Sequence, residues 1–481
     1  MSEVNIHELV KEYSAEFNYN ASETAIILAA GHGKRIKSST SKMLHKILEV
    51  PTVEKVYNAC RKGLKSSNSI VVVGIKAENV TKTIGKKSDT SFAYQEVQHG
   101  TGHAVQVALE NVDTAKYEGI VYIFAGDMGL LDSETVSDFS SAFKLANSDM
   151  MVLTGLYEGD PNENAYGRII RVKEVDADGN KSEDSGKVIE IKEHKDILAL
   201  SDDSPYLVEY NGKNYSYSKQ ELIENNEFNS GVFAFDAQKL AQFLHTIDSN
   251  NAQGEIYITD MIDIFNKNGL SVGAVSPKEQ YVLMGFNDKA VLTEMNEIAR
   301  SLVYDKISKI VYIDDPKDFF IADDVIDQII EADDPKNPLD ITIGKGAYIG
   351  GGVKLNNGVQ ILKNATVTGN VELAKNVTIY ENAKIDACDG VIKIGENSAV
   401  AANALVWGSV ELGAENNIGR NCEVKGLTDS CKTGNNVTID ELSIVKDSEI
   451  GDNITILYSY IDGDKIENES GEVIVVTESV K

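Results

Sequence analysis

The sequence predicts an α/β domain with a mostly parallel, doubly wound sheet, followed by a parallel β-helix. Two observations support this fold class. Apolar runs at 25–30, 69–74 and 119–127 are each followed by glycine or a polar residue and are separated by helical patterns, which is typical of a parallel sheet covered by helices. From residue 343 to residue 385, isoleucine, valine or leucine recurs every six residues. A six-residue period sustained over such a length indicates stacked short strands.

Length and composition limit the class of protein. A chain of 481 residues has room for two to four domains, and 42% hydrophobic with 25% charged residues is a globular balance. The net charge of −29 argues against a basic face that binds nucleic acid or an anionic membrane. Because no apolar run could span a membrane and the polar N-terminus lacks a secretion signal, we expect a cytoplasmic protein. The four cysteines lack CxxC spacing and predict neither a disulfide framework nor a zinc site.

The chain divides into predicted segments. These are a helical extension (1–23), an α/β domain (24–287), a helical linker (288–340), the β-helix (341–461) and a tail (462–481). The extension carries apolar residues on one helical face, which favours a helix docked on the main domain over a partner-binding segment. Strand patterns flank Asn211-Gly212, so residues 206–217 predict a hairpin insertion. Hexapeptide prisms commonly associate side by side, and we therefore expect a homotrimer.

The first motif that points to chemistry is LAAGHGKR (28–35), followed by Lys42. A strand leads into Gly31 and Gly33, where a backbone without side chains can wrap phosphate oxygens with its N–H groups. Arg35 and Lys42 add positive charge beside that loop. The alternative interpretation is a tight turn with solvated basic residues.

Two further motifs follow predicted strands. In YQEVQHGTGHAV (94–105), Gln95 and Gln98 could read a pyrimidine edge, although most glutamines are surface residues. In FAGDMGL (124–130), Asp127 follows a buried strand, where its carboxylate suits Mg²⁺. A helix N-cap or turn aspartate is the alternative for Asp127. Ligands bind such sheets at the carboxyl ends of the strands, which is where these motifs lie.

Together with later motifs, this region resembles a known enzyme domain. The additional motifs are AYGRIIR (165–171), IKEHKD (191–196), FNSGVFAFD (228–236), NNAQGEIYITD (250–260), GFND (285–288) and DDPKDFF (314–320). Residues 24–315 resemble the uridyltransferase domain of the bacterial bifunctional enzyme family that makes UDP-N-acetylglucosamine, and the repeat array matches that family's architecture. The resemblance implies a Rossmann-like nucleotidyltransferase domain with a mostly parallel mixed sheet, followed by a left-handed parallel β-helix of hexapeptide repeats.

The resemblance also implies a role for each matching residue. The uridine would be held by Leu28, Ala29, Gly31, Gln95, Gly100 and Thr101. Arg35 would contact the triphosphate, and Lys42 would stabilise charge on the α-phosphate. Asp127 and Asn287 would hold Mg²⁺. The sugar would be held by Gly167, Glu193 and Asn229.

The implied reaction is Mg²⁺-dependent transfer of UMP from UTP to N-acetylglucosamine-1-phosphate, with pyrophosphate as the second product. Such a reaction needs positioning and charge neutralisation, and it needs no protein nucleophile. The sequence departs from the family at Lys34 (usually Thr), at Ser41 (usually Pro), and in GDMGL and NSG, which replace GDVPL and NTG. These departures leave the placement of Lys42 open. The hairpin insertion either decorates the surface only or reshapes sugar selectivity.

In the family, the β-helix acetylates glucosamine-1-phosphate with a histidine base. This chain has no histidine after His245, so we expect the acetyltransferase activity to be absent. The β-helix would then be an oligomerisation, regulatory or degenerate module, with Cys422 and Cys431 packed in or near its coils. Three alternatives remain open: transfer to another sugar-1-phosphate such as glucose or galactosamine, a non-catalytic UDP-sugar-binding regulatory protein, and an acyltransferase with an unfamiliar site in the β-helix.

Overall fold

The computed structural model describes residues 5–31, 33, 36–65 and 67–477. The chain forms two compact units, Met1–Met295 and Asn296–Lys481. The finer division into five segments stays a prediction. No helix among the described residues is both long enough and apolar enough to cross a membrane.

The N-terminal unit is an α/β structure. Its strands are β1 (Glu23–Ala29), β2 (Lys46–Ile47), β3 (Val50–Pro51), β4 (Ser67–Val73), β5 (Thr90–Tyr94), β6 (Ile120–Ala125), β7 (Met150–Leu156), β8 (Arg168–Arg171), β9 (Val188–Lys192), β10 (Tyr206–Tyr210), β11 (Lys213–Tyr217), β12 (Glu227–Asp236) and β13 (Val272–Val275). Its helices are α1 (Ile6–Tyr13), α2 (Thr52–Gly63), α3 (Ala77–Ile84), α4 (Thr101–Leu109), α5 (Ser133–Ala146), α6 (His194–Leu198), α7 (Lys219–Glu224), α8 (Ala237–Phe243) and α9 (Met261–Lys267). A longer helix, α10 (Lys289–Ile307), contains the boundary between the two units.

The main sheet has the order β13-β7-β12-β6-β1-β4-β5, with β8 and β9 attached to β12. The pairs β1/β4, β1/β6, β4/β5 and β13/β7 are parallel, whereas β12 runs antiparallel to β6 and β7. The predicted Rossmann-like, mostly parallel mixed sheet is therefore confirmed. Successive residues of β1 alternate between two apolar cores, one on each face, because strand side chains point alternately up and down.

The N-terminal extension docks on the edge of this sheet. Helix α1 packs against β5, and the Phe92 backbone N–H donates to Ser14 Oγ at 2.8 Å. The Ala15 backbone N–H donates to the Thr90 carbonyl at 2.8 Å. The segment therefore satisfies backbone groups of an edge strand, in agreement with the predicted docked helix.

The predicted hairpin insertion is present. Strands β10 and β11 pair antiparallel around Asn211 and Gly212, which both have positive φ, at 49° and 73°. Two such residues form the turn that matches the twist of a hairpin. The hairpin and α7 share a small separate core with β8 and β9.

The C-terminal unit is built from short parallel strands. They are β14 (Tyr312–Ile313), β15 (Phe320–Ile321), β16 (Thr342–Ile343), β17 (Tyr348–Ile349), β18 (Val353–Leu355), β19 (Gln360–Ile361), β20 (Thr366–Thr368), β21 (Val371–Leu373), β22 (Thr378–Ile379), β23 (Lys384–Asp386), β24 (Ile392–Ile394), β25 (Ala399–Val400), β26 (Leu405–Leu412), β27 (Asn417–Ile418), β28 (Glu423–Thr433), β29 (Thr438–Ile439), β30 (Ile444–Lys446), β31 (Glu449–Ile450), β32 (Ile454–Ile456), β33 (Tyr460–Asp462), β34 (Lys465–Ile466) and β35 (Ile474–Val476). Helix α11 (Asp323–Glu331) precedes the main run of strands.

These strands stack as the coils of a parallel β-helix, as the six-residue period predicts. Register places Ile343 beside Ile361 and Ile361 beside Ile379, so that one coil takes 18 residues, or three hexapeptides. The column continues through Val400 and Ile418, and all of these side chains are fully buried. Cys422 and Cys431 are also fully buried, as expected for residues packed in the coils. The handedness of the β-helix stays a prediction.

Strand pairing extends beyond the predicted limits of the β-helix. Strand β14 pairs with β16 and β15 pairs with β17, so the ladders begin inside the segment predicted as a linker. At the other end, β34 and β35 continue the ladders inside the predicted tail. The apolar residues of these segments are irregularly spaced, so the sequence shows no six-residue period there. The backbone hydrogen bonds nevertheless continue the ladders of the β-helix.

Candidate active site

A cavity of about 510 Å³ lies where the parallel strands of the N-terminal unit end. We call it the strand-end cavity. Its lining consists of Leu28, Ala30, Gly31, Gly33, Lys42, Met43, Gln95, Gln98, Gly100, Thr101, Ala104, Ala125, Asp127, Glu255 and Asn287. The structure therefore brings together eight predicted site residues from four separate motifs: Leu28, Gly31, Lys42, Gln95, Gly100, Thr101, Asp127 and Asn287. This is the edge where ligands bind in open α/β sheets.

The loop after β1 leaves its backbone open to a ligand. A Cβ placed on Gly31 would meet no atom within 4 Å, so the backbone there is accessible. Gly33 has a φ of +57°, and a Cβ on it would lie 2.8 Å from the Lys42 Cβ atom. Glycine at this position lets the loop pack directly against Lys42. Ala29, in contrast, is fully buried in the core, and the structure does not place its side chain in the cavity. Arg35 lies outside the described residues, together with His32 and Lys34.

Lys42 connects the two predicted metal ligands. Its Nζ forms an ion pair with Asp127 Oδ2 and donates a hydrogen bond to Asn287 Oδ1 at 3.1 Å. The side chains of Lys42 and Asp127 are only 12% and 15% exposed. Nζ also lies 5.4 Å from the centre of the Phe286 ring, within the range of a cation–π contact. These three contacts therefore hold the Lys42 ammonium beside the loop that follows β1. Because the side chains are mostly buried, little water screens its charge.

The same geometry tests whether these residues suit Mg²⁺. One carboxylate oxygen and one amide oxygen approach a single cation, the Lys42 ammonium. Magnesium prefers oxygen ligands and usually takes only one or two protein carboxylates, with the remaining positions filled by water and substrate phosphates. Asp127 and Asn287 therefore fit the ion, provided that a substrate supplies further oxygens.

Gln95 is fixed at the end of β5 by its own loop. Its Nε2 donates to the Gly100 carbonyl at 3.2 Å and lies 3.1 Å from His103 Nδ1. Gln98 in turn donates to the Gln95 carbonyl at 3.0 Å. Burial, followed by the charge of His99, lowers the pKa of His103, which favours the neutral imidazole. His103 therefore helps to hold the buried side-chain amide of Gln95 in place.

Helix α4 begins at the strand-end cavity and is held there by the segment around Ile256. Gly100 has a φ of +107°, and a Cβ there would come within 2.9 Å of the Ile256 nitrogen. The Gly102 backbone N–H donates to the Ile256 carbonyl at 2.8 Å, and the Ile258 N–H donates to Thr101 Oγ1 at 3.2 Å. Backbone N–H groups at a helix start suit an anionic or polar ligand. Glycine lets the 250–260 motif close directly onto this helix.

The three predicted sugar residues also meet, but outside the strand-end cavity. The Asn229 backbone N–H donates to the Gly167 carbonyl at 2.9 Å, and a Cβ on Gly167 would lie 3.1 Å from Glu193 Oε1. A bulge in β12 after Asn229 lets the Gly231 N–H donate to Asn229 Oδ1 at 2.9 Å. None of these three residues lines the 510 Å³ cavity. The structure therefore forms two groups of predicted residues rather than a single continuous cavity.

Glu193 sits in a strongly acidic environment. Burial, followed by the charges of Asp196 and Asp260, raises the pKa of Glu193 to about 7. Burial and neighbouring carboxylates likewise raise the pKa of Asp260 to about 7. A buried carboxyl group with a perturbed pKa is a marker of functional sites. The sequence did not single out Asp260, although it ends the 250–260 motif.

The hairpin insertion touches the strand that leads to Glu193. Tyr206 Oη donates to Glu190 Oε1 at 2.7 Å, and Lys192 Nζ donates to Tyr206 Oη at 3.2 Å. Glu190 and Lys192 both lie on β9, immediately before Glu193. The insertion is therefore a neighbour of the predicted sugar residues. Sequence reasoning also missed Met43 and Glu255, which line the strand-end cavity next to motif residues.

Comparisons with known proteins agree with this geometry. Residues 25–172 match the family described as the MobA-like NTP transferase domain. The "Bifunctional protein GlmU" of Acetivibrio thermocellus is 35% identical over 302 residues, which cover 63% of this chain and 57% of that protein. The protein of the same name from Clostridium tetani is 35% identical over 280 residues, covering 58% of this chain and 52% of that protein. The one from Clostridium novyi is 33% identical over 304 residues, covering 63% and 58%.

These alignments have a defined extent. The chain spans a little over half the length of the curated relatives it matches. A solved UDP-glucose pyrophosphorylase aligns with 58% of this chain and 98% of its own at 13% identity and a TM-score of 0.40, which is too low to support an argument. Residues 25–172 therefore match a MobA-like NTP transferase domain, and about three fifths of the chain is similar in sequence to bifunctional GlmU proteins.

Proposed function

We propose that the protein transfers UMP from UTP to N-acetylglucosamine-1-phosphate, giving UDP-N-acetylglucosamine and pyrophosphate, and that it depends on Mg²⁺. The observation that carries the proposal is the contact of Lys42 with both Asp127 and Asn287 at the strand-end cavity. A polyphosphate substrate needs positive charge and a metal ion at its phosphates. The Lys42 ammonium and the two oxygen ligands beside the glycine loop can supply both. The homology to GlmU proteins supports the choice of nucleotide sugar.

The residues suggest how the transfer is catalysed. In the proposed reaction, a phosphate oxygen of the sugar-1-phosphate attacks the α-phosphorus of UTP in line, and pyrophosphate leaves. The Lys42 ammonium stabilises the negative charge that builds up on the α-phosphate. To reach this phosphate, it gives up its contacts with Asp127 and Asn287. Those two oxygens would hold Mg²⁺, which supplies charge neutralisation for the phosphates when bound. Gln95, Gly100 and Thr101 orient the uridine, and Arg35 contacts the triphosphate.

The sugar would be recognised by the second group of residues. Glu193 and Asn229 bind its hydroxyl or acetamido groups, and Gly167 leaves room for the ring. Because Glu193 has a pKa of about 7, it can act as a hydrogen-bond donor or acceptor near neutral pH. We place the segment at 250–260, whose Ile256 and Ile258 already bond to the start of α4, as the wall that closes the sugar pocket. Closure of this kind excludes water from phosphoryl transfer.

We also infer a single catalytic activity in a cytoplasmic homotrimer. The β-helix has no histidine to act as the base of an acetyl transfer, so its role is to assemble the trimer. Light scattering tests the assembly directly. A mass of about three chains is expected, and a monomer mass would contradict this part of the proposal.

The decisive experiment is an activity panel that measures pyrophosphate release. UTP, CTP, ATP and dTTP are each combined with the 1-phosphates of N-acetylglucosamine, glucose and galactosamine, with and without Mg²⁺. We expect the highest kcat/KM for UTP with N-acetylglucosamine-1-phosphate, and none after chelation of the metal. A clear preference for another sugar phosphate would show that N-acetylglucosamine-1-phosphate is the wrong substrate. Binding of UDP-sugar without pyrophosphate release would instead favour a regulatory protein.

A parallel assay addresses the β-helix. Release of free thiol from acetyl-CoA is followed with glucosamine-1-phosphate and other amino sugars as acceptors. We expect no release above background. Steady thiol release would contradict the single-activity proposal and would indicate an acyltransferase site of an unfamiliar kind.

A further inference from the structure

Arg168 is a buried cation that has no role in the reaction proposed above. Its side chain is fully buried, at 0% exposure. Arginine is almost never fully buried unless an opposite charge pairs with it. Among the described residues, the arginines that form ion pairs are Arg61 and Arg171, and Arg168 is not one of them. The burial of this charge therefore needs another physical reason.

The guanidinium of Arg168 binds the backbone of the loop that precedes β8. Its Nη1 donates to the carbonyl oxygen of Tyr166, and its Nη2 donates to the carbonyl oxygens of Asn164 at 2.8 Å and of Pro161 at 3.4 Å. A guanidinium carries five N–H donors in a fixed plane, whereas a lysine ammonium is a point charge on a flexible stem. One arginine can therefore hold several carbonyl groups at once. We call residues 161–166 the braced loop.

Two further contacts fix the braced loop. Asn164 is also fully buried, and its Oδ1 accepts a hydrogen bond from the Tyr166 backbone N–H at 3.0 Å. The Tyr166 ring stacks on the ring of Phe228, with centroids 4.5 Å apart. Phe228 belongs to β12 and is the register partner of Arg168 where β12 pairs with β8. The loop is therefore held against the sheet by both its backbone and a side chain.

The braced loop leads directly into the predicted sugar residues. The carbonyl of Tyr166 belongs to the same peptide unit as the nitrogen of Gly167, so Arg168 fixes the peptide that enters Gly167. The Gly167 carbonyl accepts from the Asn229 N–H at 2.9 Å, and a Cβ on Gly167 would lie 3.1 Å from Glu193 Oε1. With so little space, a small shift of the loop changes how Gly167 lies against the other two sugar residues.

Arg168 also lies near the residue that follows Glu193. Burial, followed by the charge of Arg168, lowers the pKa of His194, so the guanidinium and this imidazole are close together. His194 is the first residue of α6, and Glu193 precedes it in the chain. The same guanidinium therefore acts on the neighbours of two predicted sugar residues, Gly167 and Glu193.

We infer that Arg168 is a positioning residue for sugar recognition, which holds Gly167 in place against Glu193 and Asn229 through the braced loop. Because it concerns the predicted sugar residues, this role rests on the proposed function. Arginine suits the position because carbonyl groups packed around a buried side chain need hydrogen-bond donors. Arg168 is not among the described residues that line the strand-end cavity, where UTP would bind. Its loss should therefore affect the sugar phosphate and spare UTP.

The first test makes the same substitution at two positions of β8. Arg168→Lys keeps the charge and loses the planar donor group, and Arg171→Lys is the matched control at a residue that pairs with Glu227. In Arg168→Lys, KM for the sugar phosphate that the wild type prefers should rise about tenfold, while KM for UTP stays within about twofold of wild type. Both constants should stay near wild type in Arg171→Lys.

The ratio of the two KM values separates positioning from a general loss of structure. Circular dichroism melts verify that both variants are folded at the assay temperature. A destabilised fold has no reason to discriminate between the substrates, so equal rises in both KM values of Arg168→Lys would overturn the inference. Unchanged KM values in this variant would overturn it as well.

Amide hydrogen exchange tests the braced loop without turnover. The backbone N–H groups of Glu163, Asn164 and Tyr166 all donate hydrogen bonds, so their exchange rates report whether the loop is held. In Arg168→Lys, a peptide that covers 161–167 should exchange about fivefold faster than in the wild type. A peptide that covers the hairpin at 206–217 should be unchanged. Wild-type exchange rates at 161–167 in the variant would contradict the bracing role.

These measurements distinguish failure of this inference from failure of the proposed function. If the wild type is active and Arg168→Lys keeps wild-type KM values, only the inference fails. If the wild type releases no pyrophosphate with any sugar phosphate, the proposed function fails, and calorimetry with UDP-N-acetylglucosamine replaces the kinetic assay. Binding should then be about tenfold weaker in Arg168→Lys and unchanged in Arg171→Lys. If the wild type does not bind the UDP-sugar either, both proposals fail.

Discussion

The two units of this protein differ in where carboxyl groups with a raised pKa occur: among the described residues, only the N-terminal unit has them. In the N-terminal unit, burial raises the pKa of Glu190, Glu193 and Asp260. In the C-terminal unit, every resolved carboxyl shift among the described residues is downward, as for Asp315, where a hydrogen bond from Lys345 lowers the pKa. The first unit therefore holds carboxyl groups at an energetic cost, and it holds them beside the predicted sugar residues.

The apolar cores of the two units also differ in how regularly they are packed. The β-helix repeats one contact, a branched side chain above its counterpart in the next coil, as in Ile361 and Ile379. The α/β unit has two separate cores and leaves its strand ends open as a cavity. Regular packing favours stability, whereas irregular strand ends provide a site. We therefore propose that the catalytic chemistry lies in the N-terminal unit and that the repeated coils of the C-terminal unit serve as a scaffold, and the predictions below test this division.

The largest effect is expected for Lys42→Ala. Removing the ammonium takes away transition-state stabilisation at the α-phosphate and should lower kcat by about 10² to 10³-fold, measured as pyrophosphate release. The control Lys46→Ala removes an exposed lysine of the same region that pairs with Glu49 and should stay near wild type. A turnover rate of Lys42→Ala close to that of the wild type would remove this residue from the mechanism.

In the β-helix, Ile385→Ala should reduce stability and spare catalysis. The side chain is fully buried in the column of Val367 and Val406, so its loss leaves a cavity that costs about 3 kcal/mol. Urea unfolding can be followed by the fluorescence of Trp407, the single tryptophan, which belongs to this unit. Tyr380→Ala, at a position 40% exposed, is the control and should change little. If Ile385→Ala abolished uridyl transfer under folding conditions, the division between units would not hold.

Glu193→Gln should have opposite effects on stability and on substrate binding. Because the folded pKa is raised to about 7, the wild-type free energy of unfolding falls as pH rises from the unfolded pKa to about 7 and levels off above it. The amide avoids this cost, so the variant should be more stable than wild type at pH 8 by about 1–2 kcal/mol and similar to it at pH 4.5. Thermal melts at the two pH values measure this difference.

The same variant should raise KM for the sugar phosphate while leaving KM for UTP unchanged. Asp184→Asn is a suitable control, because its carboxylate lies outside the predicted sugar group and pairs with Lys187 at the surface. If Glu193→Gln is stabilised but its kinetic constants are unchanged, the raised pKa of Glu193 is real but the residue does not recognise the sugar.

The smallest effect concerns the corners of the β-helix. Asn376 has a φ of +57°, and its side chain donates to Asn397 Oδ1 at 2.9 Å. Asn376→Ala should cost about 1 kcal/mol, because alanine tolerates this left-handed conformation poorly and the hydrogen bond is lost. Asn376→Gly keeps the backbone freedom and should cost less. If the two variants were equally stable, backbone strain would not be the reason for asparagine at this corner.

The sequence by itself determined the parts of the protein that repeat or alternate. The six-residue period predicted the columns around Ile361 and Ile379, and Asn211-Gly212 predicted the hairpin. Motifs at the ends of apolar runs predicted a common site, because parallel strands end at one edge of the sheet. These properties follow from local periodicity and turn geometry, which a linear sequence carries.

Only the tertiary structure decided how distant groups interact. Lys42 meets Asn287 across 245 positions, and no local pattern encodes that contact. The raised pKa of Glu193 depends on burial and on Asp196 and Asp260, and the ladders of β14 and β35 depend on backbone pairing in segments without a visible period. Burial and long-range hydrogen bonds arise when the chain is packed, since they depend on neighbours in space and not in sequence.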